Sequence, residues 1–215
     1  MKITWYGHAA FLVETEGLRI ILDPFRSPDS GGYEPIAEPA DIVAVSHEND
    51  RYHSHLGQIV PPFDVVRGLE ITSQGYVAKG IVFHATRIFE TPEKLPEDEV
   101  TILSFRSEGI HVVHLGDLGH ALTDEEVKPL RGADVLMASA GGPPTIDFPL
   151  IPELIEAIAP KIIVPMHYLT PKINLKIQPV ERFLEMLPTW MIDYRRESSF
   201  DVEGDRRIVI LDHAR

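Results

Sequence analysis

Short apolar runs separated by turn residues dominate the first half of the chain. The run at residues 41–46 (DIVAVS) is almost entirely apolar, which is typical of a strand buried on both faces. Gly17 and the Ser-Glu-Gly stretch at 107–109 separate neighbouring runs and predict turns. The pattern predicts strands at residues 3–5, 11–13, 18–22, 41–46, 80–84, 100–105 and 110–115.

The second half of the chain alternates between helical and strand-like patterns. Thr123 and Glu126 form a capping box, which predicts the start of a short helix. Apolar residues at helical spacing predict two further helices, at residues 148–158 and from Pro179 to about residue 187. Between and after them, strands are predicted at residues 135–138, 161–164, 199–202 and 207–211.

These elements predict one α/β domain over residues 1–215, with two sheets covered by helices on the outside. We find no internal repeat or obvious linker. The polar, proline-containing segment 89–99 (FETPEKLPEDE) predicts an exposed loop. Two interpretations of this loop remain open: it is a lid over a site, or it is a long hairpin connection.

Composition narrows the classes of function. The chain has no cysteine, so any metal must be held by nitrogen and oxygen ligands. Its net charge of −13 and scattered basic residues argue against nucleic acid as a partner. No apolar run has the roughly 20 residues that a membrane span needs, and the N-terminal residues lack the pattern of a secretion signal. We therefore predict a cytoplasmic protein that does not bind membranes.

Candidate chemistry is concentrated where predicted strands end. His47, His84 and His167 each follow an apolar run, as do Asp23 and Asp117. Rigid strands fix the positions of the side chains that follow them, so strand ends are favourable places for a functional site. Imidazole and carboxylate are the natural ligands of zinc, manganese or iron when thiols are absent.

The sequence resembles the metallo-β-lactamase superfamily, and in particular its small bacterial and archaeal Zn-dependent hydrolases. The resemblance rests on the order and spacing of WYGHAAFLVE, GLRIILDP, EPADIVAVSH, HLGDLGH, GADVLMASAGGPPTID, IIVPMHY and IVILDHAR. It implies a four-layer αββα sandwich with metal ions between the sheet edges. The implied activity is metal-dependent hydrolysis of a small-molecule substrate, and the implied cofactor is zinc, or manganese or iron, as one ion, two ions or none.

The resemblance also implies roles for individual residues. His47 takes the position of the first histidine in the H-x-H-x-D-H motif, and Asp117 matches the aspartate that bridges two metals. The implied metal ligands are His47, His84, Asp117 and His167, with Asp117 as the catalytic residue. Asp23, His8 and His120 are expected to support these ligands through hydrogen bonds. For His8, the satisfaction of buried backbone carbonyls is an equally good interpretation.

The ligand motif itself departs from the family pattern. Without a gap, Asn49, Arg51 and Tyr52 stand at three of its four ligand positions. A permanently charged guanidinium cannot coordinate a cation, so Arg51 is the most damaging change. A shift of one residue would bring in Asp50 and His53 as replacement ligands. Alternatively, a single ion remains on the four implied ligands.

A second hypothesis is that the protein is catalytically inactive and metal-free, and acts as a binding or interaction protein on the same scaffold. In that case Arg51 is expected to form a salt bridge with Asp117 or Asp23 and to replace the charge of the metal. A nuclease is disfavoured by the net charge and by the lack of a basic arm. The sequence leaves the substrate and the oligomeric state open.

Overall fold

Two β-sheets form the centre of the structure, a computed structural model that describes residues 1–215. The strands are β1 (Lys2–Gly7), β2 (Ala10–Thr15), β3 (Leu18–Leu22), β4 (Ile42–Val45), β5 (Asp64–Arg67), β6 (Tyr76–Ala78), β7 (Ile81–Phe89), β8 (Glu99–Ser107), β9 (Ile110–His114), β10 (Val135–Ser139), β11 (Ile162–Met166), β12 (Ile192–Tyr194), β13 (Ser199–Asp201) and β14 (Arg207–Ile210). The α-helices are α1 (Asp124–Val127), α2 (Ile151–Ile158) and α3 (Val180–Glu185). Short 3-10 helices lie at Gly68–Glu70, Pro96–Asp98, Lys128–Leu130 and Phe148–Leu150.

The first sheet has six strands in the order β13-β1-β2-β3-β4-β5. Strands β1, β2 and β3 form an antiparallel meander, whereas β3, β4 and β5 run parallel to one another. The carboxyl ends of β3 and β4 therefore meet at one edge of this sheet. That edge is where Asp23 and His47 leave the strands.

The second sheet has eight strands in the order β12-β14-β11-β10-β9-β8-β7-β6. Strands β9, β10 and β11 are parallel, so the segments that follow β9 and β11 also leave from a common edge. These segments carry Asp117 and His167. The other half of the sheet, β6 to β9, is antiparallel.

Side-chain alternation along the strands builds two hydrophobic clusters. Ile20 and Ile42 point into a main core of 50 buried residues, which lies between the sheets and beneath the helices. Their neighbours Ile21 and Val43 point the other way, into a second cluster of 13 buried residues on the outer face of the first sheet. Strands with both faces buried explain why the run at 41–46 is apolar throughout.

The architecture confirms the predicted α/β fold of two sheets and refines its outer layers. Apolar residues of α2 and α3 belong to the main core. The outer face of the first sheet is covered by loop segments, which contribute Phe25, Tyr33 and Ile59 to the second cluster. None of the helices has the length and apolar character needed to cross a membrane.

Three strands lie outside the sequence-based prediction, namely β5, β6 and β12. Each has only three or four residues and is partly exposed, so its hydrophobic pattern is weak. The predicted strand at 80–84 is also longer in the structure, because β7 continues to Phe89. This extension moves the strand end from His84 to Glu90, which changes the candidate site.

Candidate functional site

Six buried residues meet between the edges of the two sheets. Asp23 and His47 follow β3 and β4 of the first sheet, and Asp117 and His167 follow β9 and β11 of the second. The turn between β1 and β2 adds His8, and the loop after β4 adds His53. We call the six residues the His/Asp cluster: His8, Asp23, His47, His53, Asp117 and His167.

The backbone at three members of the cluster is strained. His8, Asp23 and His167 have φ angles of 50°, 42° and 50°, in the left-handed region that non-glycine residues rarely adopt. Each such residue costs on the order of 1–3 kcal/mol, which the surrounding structure has to offset. The backbone N–H of His167 donates to the carbonyl oxygen of His8 at 3.0 Å, and this bond joins two of the strained residues across the sheets.

Asp23 and Ser46 fix the ring of His47. The hydroxyl of Ser46 donates to Asp23 Oδ2 at 2.6 Å, and the Ser46 backbone N–H donates to Oδ1 at 2.7 Å. Because the hydroxyl has only one hydrogen, its contact with His47 Nδ1 at 2.9 Å must be one that it accepts. His47 therefore carries its proton on Nδ1. Burial lowers the pKa of His47 to about 4, so Nε2 presents a free lone pair at neutral pH.

His53 lies between two buried carboxylates. Its Nδ1 is 2.9 Å from Asp23 Oδ2, and its Nε2 is 2.9 Å from Asp117 Oδ2. Burial opposes a charge on the ring, but the carboxylates of Asp117 and Asp23 outweigh it and raise the pKa of His53 to about 10. In this arrangement both ring nitrogens donate, and the imidazolium balances part of the negative charge of the cluster.

Several ligand atoms of the cluster have no hydrogen-bond partner although they are buried. They are both ring nitrogens of His8, His47 Nε2, Asp117 Oδ1 and His167 Nδ1. Burial also opposes ionisation of Asp117, yet His53 and His167 hold its pKa well below the usual value. Buried polar atoms are normally paired, so a group of unpaired donor and acceptor atoms in one place indicates a site for a ligand.

Two sets of residues have the spacing of a metal site. One is His8, His53 and His167, and the other is Asp23, His47 and His53; within each set the ligand atoms lie within 4.8 Å of one another. Asp117 adjoins the first set, because its Oδ1 is 3.7 Å from His167 Nε2. Neutral imidazole and carboxylate at these distances suit a borderline transition metal.

The loop after β4 brings His53, not Tyr52, into the cluster. The carbonyl oxygen of Asn49 accepts from the backbone N–H groups of Tyr52, His53 and Ser54, at 3.1, 2.8 and 3.0 Å. This tight turn directs the buried His53 inward, and Tyr52 stacks on His8 with ring centroids 5.3 Å apart. The structure therefore places His53, which the one-residue shift selects, in the cluster, and its role as a ligand stays a prediction.

The structure corrects two assignments made on the same loop. Asp50 is exposed and pairs with Arg26 and His55, so it does not reach the cluster. Arg51 is also exposed: its Nε donates to the carbonyl oxygen of Asp29 at 2.7 Å. The predicted salt bridge from Arg51 to Asp117 or Asp23 is therefore wrong.

Two further histidines lie outside the cluster. His84 is exposed in the middle of β7 and is not brought to the metal-binding sets, which corrects its assignment as a ligand. His120 is buried, but its ring bonds to the backbone of Phe89 and Ala121, at 3.2 and 2.8 Å. It supports the segment after β7 and has no hydrogen bond to a cluster residue.

Glu90 is a candidate functional residue that the sequence analysis missed. It shares with His47 a cavity of about 430 Å³, which is also lined by Glu48, Glu97 and Glu99. Its carboxylate forms no hydrogen bond or ion pair, and burial together with the nearby Asp117 raises its pKa. A Cβ at Gly119 would overlap the carbonyl oxygen of Glu90, so only glycine permits this approach. Glu90 directly follows the last residue of β7, so a correct prediction of where this strand ends would have selected it.

Replacing Ser46 by alanine is expected to destabilise the protein by about 1–3 kcal/mol, because the buried ring N–H of His47 loses its acceptor and Asp23 Oδ2 loses one of its two donors. Urea unfolding measures this effect, and ring NMR signals report the tautomer of His47. The control is Ser107→Ala, which removes one buried hydrogen bond, to Thr15, remote from His47. An unchanged tautomer in Ser46→Ala would mean that Ser46 does not orient His47.

The comparisons with known proteins agree with this architecture. The sequence profile of the beta-lactamase superfamily domain matches residues 2–167. A UPF0173 protein of Pyrococcus abyssi is 30% identical over 184 residues, which cover 78% of this chain and 83% of the relative. A UPF0173 metal-dependent hydrolase of Carboxydothermus hydrogenoformans is 28% identical over 198 residues and covers 79% and 85%.

Among solved structures, a candidate Zn-dependent hydrolase of the metallo-β-lactamase superfamily from Thermotoga maritima superposes with a TM-score of 0.76. It is 30% identical, and the match covers 98% of this chain and 97% of that one. The profile match extends from β1 to His167, so it includes every strand end that contributes to the His/Asp cluster. The chain belongs to the beta-lactamase superfamily and has the metallo-β-lactamase fold.

Proposed function

We propose that this protein is a metal-dependent hydrolase with a single ion held by His8, His53, His167 and Asp117. The observation that carries the proposal is the group of buried ligand atoms without partners, on His8, Asp117 and His167. Without an ion, each of these atoms would be buried at a cost and with no compensating bond. The family membership and the description of the Carboxydothermus hydrogenoformans relative as a metal-dependent hydrolase support the same conclusion.

The number of ions follows from His53, which belongs to both candidate sets. As a metal ligand His53 is neutral, so the ion displaces the proton that its Nε2 carries in the metal-free protein. The neutral imidazole then has one lone pair, so His53 cannot serve both sets at once. Asp23 is already occupied by three hydrogen bonds, from the Ser46 backbone N–H, the Ser46 hydroxyl and His53. The set of His8, His53 and His167 is therefore the better site, with Asp23 orienting His53 through Nδ1.

Zinc is the ion that best suits these ligands. Three imidazole nitrogens and one carboxylate make a donor set that zinc accepts readily, with manganese and iron as alternatives. When bound, zinc supplies Lewis-acid chemistry, which polarises the oxygen of a scissile ester, amide or phosphodiester and activates water. The description of the Thermotoga maritima structure as a candidate Zn-dependent hydrolase supports this choice.

The residues around the ion have separate roles in this proposal. His47 lines the cavity, and its Nε2 has no partner in the protein, so it is free to accept a hydrogen bond from the substrate or from water. Glu90 has a free carboxylate at the same cavity and is placed to accept a proton during the reaction. The raised pKa of Glu90 is closer to neutral pH than the pKa of an ordinary glutamate, which favours such a role.

The cavity also suggests the kind of substrate. Glu48 and Glu99 are paired with Arg67 and Arg87, but the carboxylates of Glu90 and Glu97 have no cationic partner. An acidic entrance favours small neutral or cationic molecules and repels polyanions. With the net charge of −13, this supports an enzyme that acts on small molecules and binds neither nucleic acid nor anionic membranes.

Loading the purified protein with zinc or manganese tests the proposal. We expect one equivalent of metal in the wild type and in His84→Ala, and loss of the ion in His167→Ala, because only His167 belongs to the cluster. Hydrolysis of a panel of neutral and cationic nitrophenyl esters should follow the metal content and disappear with chelator. A wild-type protein that holds well under one equivalent after loading would contradict the proposal.

A second candidate function is supported by the position of His53. Its protonated ring already lies between Asp23 and Asp117, at 2.9 Å from each, and so supplies a positive charge without any metal. On this alternative, the protein is a metal-free binding or interaction protein on the same scaffold. It predicts that loading with metal leaves the ring signals of His53 unchanged, whereas the hydrolase requires them to shift.

A further inference from the structure

A second polar cavity lies on the outer face of the eight-stranded sheet, away from the His/Asp cluster. Thr101 and Ser107 of β8 form hydrogen bonds to residues of the first sheet, so the odd-numbered residues of this strand face inward. Ser104 and Arg106, which alternate with them, must face outward. The outward face lines a cavity of about 440 Å³.

Strand register assembles the polar groups of this cavity. His84 of β7 lies beside Ser104 of β8, and His111 of β9 lies beside Arg106. Cross-strand neighbours on one face of a sheet have their Cβ atoms about 5 Å apart, so the four side chains form a continuous patch. We call this the outer-face pocket, defined by His84, Ser104, Arg106 and His111.

Every one of these groups can offer a hydrogen-bond donor to the pocket. Arg106 Nη2 lies 3.1 Å from His111 Nδ1, and a guanidinium can only donate. His111 Nδ1 is therefore the acceptor, so the hydrogen of the neutral ring is on Nε2, which has no partner in the protein. The hydroxyl of Ser104 also lacks a partner, although Ser104 and His111 are only 5% and 3% exposed.

The charge of the pocket is not neutralised by the protein. Arg106 forms no ion pair, in a chain that has 33 acidic and 20 basic residues. No carboxylate lines the cavity. Asp134 lies nearby, but its Oδ2 accepts the backbone N–H of His111 at 2.8 Å and is engaged there. An exposed arginine without a counter-ion, beside donors that have no acceptor in the protein and line the same cavity, is the arrangement that a bound oxyanion completes.

We propose that the outer-face pocket binds a small ligand through a phosphate group. The guanidinium of Arg106 supplies the charge and a fork of donors, and Ser104 and His111 supply further hydrogen bonds to the remaining oxygens. The pocket is larger than one phosphate needs, so it has room for an organic substituent beside Val82 and Pro129. It lies on the opposite face of the sheet from the metal site and is independent of the proposed hydrolysis.

Titration of the metal-loaded protein with inorganic phosphate tests this site, read out by the ring NMR signals of His84 and His111. We expect both signals to shift saturably in the wild type. In Arg106→Gln the half-saturation concentration should rise at least about tenfold, the usual worth of a charge-assisted hydrogen bond. Ser104→Ala should weaken binding less. Acetate at the same ionic strength should bind more weakly than phosphate, because it carries less charge.

The matched control is Arg196→Gln, which removes the same charge from an exposed arginine without an ion pair. It should bind phosphate as the wild type does. The proposal is overturned if neither histidine signal saturates, if Arg106→Gln binds phosphate as tightly as the wild type, or if Arg196→Gln weakens binding equally. Acetate binding as tight as phosphate would likewise rule out a phosphate site.

Discussion

Replacing His53 by asparagine is expected to destabilise the metal-free protein by about 3–5 kcal/mol, because it breaks a buried ion pair and leaves its carboxylates without a cation. His53 is 1% exposed and contacts Asp23 and Asp117, each at 2.9 Å. Without it, these two carboxylates face a space that no positive charge fills. Urea unfolding in the presence of chelator measures the loss of free energy.

The matched control for His53→Asn is His55→Asn, two residues along the same loop. His55 pairs with Asp50, whose side chain is 59% exposed, so this interaction is worth about 0–1 kcal/mol at most. We expect the control to unfold at nearly the same urea concentration as the wild type. Equal unfolding midpoints for the two variants would mean that His53 does not balance the charge of the cluster.

Replacing Asp117 by asparagine is expected to weaken zinc binding by at least about 100-fold. This effect is larger than the usual effect of losing a residue that only supports a metal ligand through a hydrogen bond. The carboxylate has one free oxygen, Oδ1, which lies 3.7 Å from His167 Nε2. Asparagine keeps the size of the side chain but removes the charge that attracts the cation. Zinc affinity is measured by competition with a chelating dye.

The matched control for Asp117→Asn is Asp205→Asn, an identical change at an exposed residue whose side chain forms no hydrogen bond. Its zinc affinity should equal that of the wild type. If Asp117→Asn also binds zinc as tightly as the wild type, Asp117 is not a ligand of the ion. In that case the three histidines would be the protein ligands of the ion without Asp117.

The fold was largely predictable because its central strands are buried on both faces. An apolar run such as residues 42–45 is stable only in the protein interior, and the structure buries all four of its side chains. Edge strands such as β5 and β12 carry mixed side chains, since one face or one edge is exposed. Their pairing depends on neighbours that are distant in sequence, which a local pattern does not contain.

The candidate site was predictable wherever a strand end was located correctly. Asp23, Asp117 and His167 were found in this way, and the structure brings them together. The same rule selected His84 only because β7 was ended too early; applied to the true end of the strand, it selects Glu90. His53 depended on a hydrogen-bonded turn around the Asn49 carbonyl, and turn geometry of this kind is set by the fold as a whole.

Anomalous X-ray diffraction from crystals of the zinc-loaded protein, recorded at the zinc absorption edge, shows directly whether the His/Asp cluster binds a single ion. We expect one anomalous peak, within coordination distance of His8, His53, His167 and Asp117, and none beside His84 or Asp50. The contradicting result is a cluster without an anomalous peak, in which His53 still bridges Asp23 and Asp117.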